Sequence, residues 1–255
     1  MFIDSHAHLT SPQVIDQVEE VLKRAQEHKV TKIVNICTDK TTLEKGLLLS
    51  SRYRWIFNAA ATTPHDVETS GEDFFPMVES TSSALVAIGE TGLDYYYEHS
   101  NRDIQQAFLI RYFKLAISQN LPLIFHCREA FKDLFALVDL HYRHKPAVLH
   151  CFTGTLEEAK KCLDRGWLLS FSGILTFKKS TPLREVMAYV PLDRMLIETD
   201  TPYLAPQSKR GQLNEPGYIG ETAALAAALK KIEVAELGDI TTQNAIKFFS
   251  FPKED

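Results

Sequence analysis

Eight short, apolar, β-rich runs recur along the chain: Phe2 to Asp4, Lys32 to Cys37, Trp55 to Ala60, Leu85 to Gly89, Leu121 to Phe125, Ala147 to Leu149, Trp167 to Phe171 and Met195 to Ile197. Between them lie segments whose apolar residues repeat with a helical period, such as Ser11 to His28, Asn101 to Gln119, Ala130 to Tyr142, Leu156 to Arg165 and Thr181 to Tyr189. A strand followed by an amphipathic crossover helix rejoins its sheet as a parallel neighbour, with the helix covering one face. Eight such units in 255 residues predict a closed (β/α)8 barrel, the TIM barrel, as a single domain over residues 1–255. Ile219 to Ile232 supplies the eighth helix and Val234 to Phe249 an additional terminal one. The competing architecture, an open doubly wound sheet, is weakened because no Gly-x-Gly-x-x-Gly follows the first run. Ser11-Pro12 and Thr181-Pro182 read as helix starts, and Asn120 and Gly166 as helix stops.

Composition narrows the function. Hydrophobic residues at 45% and charged residues at 24% are those of a globular protein with a substantial core, and disorder is expected only in the Lys253-Glu254-Asp255 tail. A net charge of −5 gives no overall basic footprint, so a polyanion would have to be gripped locally. No stretch approaches the roughly 20 apolar residues of a membrane span, and no leader pattern precedes the first run, which predicts a cytoplasmic protein with no membrane partner. Cys37, Cys127, Cys151 and Cys162 contain no Cys-x-x-Cys pair and read as free thiols of a reducing compartment. Nothing in the sequence marks an obligate protein partner.

The chemistry is carried by what ends the apolar runs. His6 and His8 close the first run, and residues two apart on a strand project to the same face, so both imidazoles can converge on one ion. Glu90 ends the fourth run, His126 the fifth and His150 the sixth, while Asp200 follows the eighth. Any one of these residues is ordinarily a hydrogen-bonded or ion-paired side chain, and Glu90 or Asp200 could pair with Arg128 or Lys178. All six at the carboxyl ends of barrel strands, where such barrels place their active sites, form a metal-ligand set. Four imidazoles and two carboxylates exceed one tetrahedral shell and suit two divalent ions sharing a carboxylate, with Glu90 the best-placed bridge. Mixed imidazole and carboxylate ligation fits Zn, Mn or Co and admits Mg.

On these motifs the chain resembles the TatD family of metal-dependent hydrolases, within the amidohydrolase superfamily. The matching segments are Asp4-Ser-His-Ala-His8, Gly89-Glu-Thr-Gly-Leu-Asp-Tyr-Tyr96, His126-Cys-Arg-Glu-Ala130, Leu149-His-Cys-Phe-Thr-Gly154, Ser170-Phe-Ser-Gly-Ile-Leu-Thr-Phe-Lys178 and Glu198-Thr-Asp-Thr-Pro-Tyr-Leu-Ala-Pro206. They run in family order through nearly the whole chain. The resemblance implies a barrel, divalent metals at the six positions and hydrolysis of DNA, from the 3′ end of single strands. Two departures bear on substrate choice and leaving-group handling. Ala61-Thr-Thr-Pro64 stands where many members read Gly-x-His-Pro, leaving His65 as a possible replacement, and Lys209-Arg-Gly-Gln-Leu-Asn-Glu-Pro216 departs from the usual His-Arg-Gly-Lys before Asn-Glu-Pro.

The expected mechanism is attack by hydroxide from a water whose pKa two divalent ions lower, with Asp200 orienting or deprotonating it and Glu90 bridging the ions. Glu198, two residues before Asp200, is expected one layer deeper, either on a ligand histidine or in a core salt bridge. Asp94 is either a support behind the ligands or a loop cap. Arg128, Lys178 and Arg210 follow the fifth, seventh and eighth runs and offer contacts to a phosphate backbone, or are simply solvated. Tyr95, Tyr96 and Tyr97 could stack on bases or pack against neighbouring loops. Two other functional classes stay open: a deacylase of D-aminoacyl-tRNA or another ester or amide hydrolase, and a catalytically idle metal-binding scaffold.

Overall fold

The computed structural model describes residues 1–252; residues 253–255, where disorder is expected, lie outside the described residues. Strands β1 (Phe2–Ala7), β2 (Val30–Cys37), β3 (Ile56–Ala60), β4 (Leu85–Asp94), β5 (Leu123–Arg128), β6 (Ala147–Leu149), β7 (Leu168–Phe171) and β8 (Met195–Ile197) form one sheet in sequence order, every pairing parallel. The sheet curls until its edges meet. The Asp200 amide donates to the His6 carbonyl at 2.9 Å and the His8 amide to the Thr201 carbonyl at 2.7 Å, while Ala7 bridges Thr201. Helices α1 (Val18–Glu27), α2 (Lys40–Arg52), α3 (Val67–Thr81), α4 (Arg102–Gln119), α5 (Phe131–His141), α6 (Leu156–Asp164), α7 (Thr181–Tyr189), α8 (Ile219–Lys230) and α9 (Val234–Phe249) complete the (β/α)8 TIM barrel. No described helix is long and apolar enough to cross a membrane.

Two apolar layers hold this arrangement. The larger lies between strands and helices, around Phe74, Phe113, Phe125 and Trp167. The smaller fills the barrel with Ile3, Val34, Ile36, Ala59, Ala87, Ile124, Val148 and Leu196, and is joined by Ala245 and Phe249 of α9. The terminal helix therefore plugs the barrel at its amino end. The strand-to-helix loops gather at the carboxyl end, where barrels of this kind carry their active sites.

Several boundaries depart from the sequence reading for identifiable reasons. The segment expected to be helical from Ser11 instead turns tightly, with the Val14 and Ile15 amides on the Ser11 carbonyl, and α1 proper begins at Val18 after a 3₁₀ turn at Ile15–Gln17. Helices α2 and α3 were not prominent in the pattern, because Gly46 interrupts one, and Gly71 and Pro76 the other. Gly46 is needed there, since a Cβ would lie 2.6 Å from Asn58 Oδ1. The helix stops behave as expected, with Asn120 in the left-handed region at φ 53° and Gly166 at φ 79°.

The most consequential difference is β4. It runs five residues past its expected end at Gly89, so Glu90 lies inside the strand and Asp94 is its last residue. Glycines make this possible: a Cβ on Gly92, whose φ is +153°, would sit 1.9 Å from the His126 carbonyl oxygen. The register against β5 slips between Ile88 and Thr91, a bulge of the kind that redirects a side chain beside an active site.

Candidate metal centre

The six predicted ligands converge at the carboxyl end of the barrel. His6 belongs to β1, Glu90 to β4 and His126 to β5; His8 and His150 lie one residue beyond β1 and β6, and Asp200 three residues beyond β8. Local backbone geometry aims the last two. Cys151, next to His150, and Asp200 itself adopt left-handed conformations, with φ of 42° and 62°.

The two oxygens of Glu90 divide between two pairs of imidazoles. Oε2 lies 3.4 Å from His6 Nε2 and 3.8 Å from His8 Nε2. Oε1 lies 3.0 Å from His126 Nδ1 and 2.9 Å from His150 Nε2. Asp200 Oδ1 joins the first pair, at 3.7 Å from His6 Nε2 and 3.5 Å from His8 Nε2. Among the described residues there are three three-donor clusters, His6 with His8 and Asp200, His6 with Glu90 and His150, and His65 with Asp94 and His126. Neither Glu90 nor Asp200 pairs with Arg128 or Lys178.

The donors fit divalent metal on their own chemistry. His6 is fully buried, yet neither of its ring nitrogens has a hydrogen-bond partner among the described residues. Buried polar atoms of this kind are costly unless something coordinates them. Titration follows the same geometry. Burial, together with the charge of His150, lowers the pKa of His6. Burial also opposes charge on His126 and His150, but Asp94 and Glu90 raise His126, and Glu90 and Glu198 carry His150 well above its ordinary value. Burial works against ionised Glu90 as well, and is outweighed by the charge of His150 and by hydrogen bonds from His126 and His150, which hold Glu90 well below the ordinary carboxylate range.

A second layer braces the first. Fully buried Glu198 accepts the Cys151 amide at 2.6 Å, and the same oxygen lies 3.4 Å from His150 Nδ1, so it stands behind a ligand histidine rather than in a salt bridge with a lysine or arginine. Asp94 combines both of its anticipated roles. Its Oδ1 accepts the Tyr96 and Tyr97 amides at 3.0 and 2.9 Å, while Oδ2 lies 2.8 Å from His126 Nε2. These contacts outweigh burial and lower its pKa to about 2.

The cationic candidates sit apart from the carboxylates. Arg128 stacks on Tyr96 and Tyr97, Arg210 lies 4.4 Å from the Phe177 ring centroid, and the Lys178 side chain is exposed. Two further residues reach the site. His65 Nε2 lies 3.5 Å from Asp94 Oδ2 and its ring 5.5 Å from that of His126, so the loop after β3 returns an imidazole to the centre despite Thr63 before Pro64. The Tyr203 ring meets His8 edge to face at 5.7 Å; its only sequence signal was its place three residues after Asp200.

A TIM barrel with this histidine and carboxylate cluster at its carboxyl mouth defines the metal-dependent hydrolase class. The family model described as TatD related DNase matches residues 3–250, and the chain belongs to the TatD family. It is 38% identical to the metal-dependent hydrolase YabD of Bacillus subtilis over 98% of this chain and 99% of that one. It is 32% identical to the 3′-5′ ssDNA/RNA exonuclease TatD of Edwardsiella piscicida, over 97% and 98%. Among solved structures it superposes on the TatD homologue YjjV of Escherichia coli with a TM-score of 0.92 and 27% identity, covering 98% of each chain.

Proposed function

We propose that this hydrolase cleaves phosphodiester bonds of DNA, working from the 3′ end of single strands, with two divalent ions of Mg, Mn, Zn or Co as cofactors. The observation that carries the reading is the division of Glu90 between its two imidazole pairs, at 3.4 and 3.8 Å on one oxygen and 3.0 and 2.9 Å on the other. His6, His8, Asp200 and one Glu90 oxygen would hold one ion; His126, His150 and the other oxygen would hold the second. Ions bound there supply water activation at neutral pH and polarisation of the phosphoryl oxygens.

The chain's own groups do the rest. The Asp200 carboxylate lies 3.7 and 3.5 Å from the Nε2 atoms of His6 and His8, where it would orient the attacking water and take its proton. Asp94 and Glu198 hold the rings of His126 and His150 at their far nitrogens. Arg128, Lys178 and Arg210 contact the strand's phosphates. The name of the Edwardsiella relative supports the single-strand preference and the 3′-5′ direction. The four unpaired cysteines suit the reducing cytoplasm.

The test is to strip the protein of metal and incubate it with single-stranded DNA, adding back Mg, Mn, Co or Zn, with His126→Ala as the contamination control. Metal-dependent cleavage by the wild type, lost in the variant, is expected. Absence of cleavage by a folded protein shown to rebind its ions would overturn the nuclease reading and redirect it to an acyl substrate such as aminoacyl-tRNA.

A further inference from the structure

The three tyrosines that follow Asp94 part company. Tyr95 is committed to packing: its hydroxyl donates to Asp133 Oδ2 at 3.0 Å and accepts from Gln106 Nε2 at 2.8 Å, and Arg102, itself paired with Glu98, lies 4.3 Å from its ring centroid. Tyr96 and Tyr97 are 52% and 50% exposed, with rings edge to face at 4.8 Å. Rings left in water gain little for folding, so their placement needs another reason.

That placement is nonetheless fixed. Both tyrosine amides donate to one Asp94 oxygen, and the other oxygen meets His126. Gln105 locks the same turn from behind, accepting the Asp94 amide at 2.8 Å and donating to the Asp94 and Ser100 carbonyls at 3.1 and 2.9 Å. The exposed rings are thus set on the frame that orients a metal-ligand candidate.

Arg128 completes the arrangement. Its guanidinium lies 3.9 Å from the Tyr96 centroid and 4.7 Å from that of Tyr97. Among the described residues its side chain meets no carboxylate or carbonyl, whereas Arg24, Arg52, Arg111 and Arg165 all pair with carboxylates. A guanidinium held against aromatic rings and not spent on a carboxylate keeps N–H donors available for phosphate. His65 and His99 extend the surface beside Tyr97, at 5.6 and 5.5 Å.

We propose that Tyr96, Tyr97 and Arg128 form a nucleotide subsite beside the candidate metal centre, in which an unstacked base packs against the exposed tyrosine pair and Arg128 donates to its phosphate. The inference rests on single-stranded DNA being the substrate, and it supplies a physical cause for that preference. A base must leave its own stack to use the subsite, so a paired and stacked terminus pays an unpairing cost that a free strand does not.

The test is equilibrium binding by fluorescence anisotropy. The metal-loaded protein is titrated into a 5′-labelled oligonucleotide with phosphorothioate linkages to slow hydrolysis, either intact or abasic at its last two 3′ positions. Removal of the bases should weaken wild-type binding about ten- to a hundredfold, the range for lost base–aromatic stacking. In Tyr96→Ala/Tyr97→Ala the same change should matter less than about twofold, a non-additivity expected only if base and rings touch. Tyr96→Phe/Tyr97→Phe, which retains both rings, should recover the discrimination, and matched metal content and melting curves verify that each variant is folded. Equal abasic penalties in wild type and alanine variant, no penalty in the wild type, or no binding of either oligonucleotide would overturn the subsite. Base discrimination without cleavage of ordinary DNA would overturn the nuclease reading and leave the subsite standing; cleavage without discrimination would do the reverse.

Discussion

Glu90→Gln probes the centre at its narrowest point. The substitution keeps side-chain volume and one carbonyl oxygen, and removes the charge and the symmetric pair of donor oxygens. In the wild type that carboxylate, only 7% exposed, lies within 3.8 Å of four imidazoles. Losing even an outer partner of a metal ligand costs about 10- to 100-fold in metal affinity, so losing a carboxylate shared by both imidazole pairs should cost at least that. If Glu90 bridges two ions, each through a different oxygen, both sites should weaken together. Isothermal titration of the metal-stripped protein, with metal content measured after dialysis, reads this directly. The same change should lower the pKa values of His126 and His150, whose charged forms the Glu90 carboxylate favours, and lessen the stability of the stripped protein most strongly at mildly acidic pH, where those rings are charged. Wild-type affinity with full metal content in the variant would refute the bridging assignment; loss of one ion with the other unchanged would place Glu90 in a single shell.

Two further outcomes follow from pH and from packing. The raised values of His126 and His150 stabilise the stripped protein fully below the ordinary 6.5, and that contribution is lost as pH rises through their folded values; the depressed Glu90 contributes above its ordinary 4.5 and loses that contribution only as pH falls through its lower folded value. Ions must displace the imidazole protons, at about tenfold in affinity per proton for each pH unit below the raised values, so the rise in Tm on adding Mn or Zn should grow between pH 6 and pH 8. A pH-independent increment would contradict the assignment. Gly92→Ala would drive a Cβ to 1.9 Å from the His126 carbonyl oxygen, so denaturant unfolding should show a loss of about 3 kcal/mol or more together with reduced metal content, and an unchanged midpoint would contradict the close approach of β4 to β5.

What the sequence disclosed, and what it withheld, divides along physical lines. Buried parallel strands are apolar on both faces, so the β6 and β8 runs from Ala147 and Met195 could be read to the residue. The candidate ligands were legible because imidazole and carboxylate residues stood where apolar runs stopped. The second half of β4 was illegible for the same reason: Gly89, Glu90, Gly92 and Asp94 break the apolar pattern, and a strand carrying function reads like a loop. The setting of Arg128 depends on rings contributed by the neighbouring strand's loop, and the return of His65 depends on the path of the chain after β3. Neither relation has a sequence period that could announce it.

Asp94 shows what that hidden part accomplishes. One carboxylate meets the His126 ring through Oδ2 and the Tyr96–Tyr97 turn through Oδ1, so a candidate metal ligand and the groups that face solvent share one anchor. A loop free to move independently of the ligands could hold a strand in many registers relative to the ions, most of them unproductive, and the rate would suffer from each misplacement. Anchoring both halves on one side chain removes that freedom without a large interface. It also constrains how the site can vary: the faces of residues 96 and 97 can change the base they accept, while their amides must stay on Asp94 if His126 is to keep its orientation.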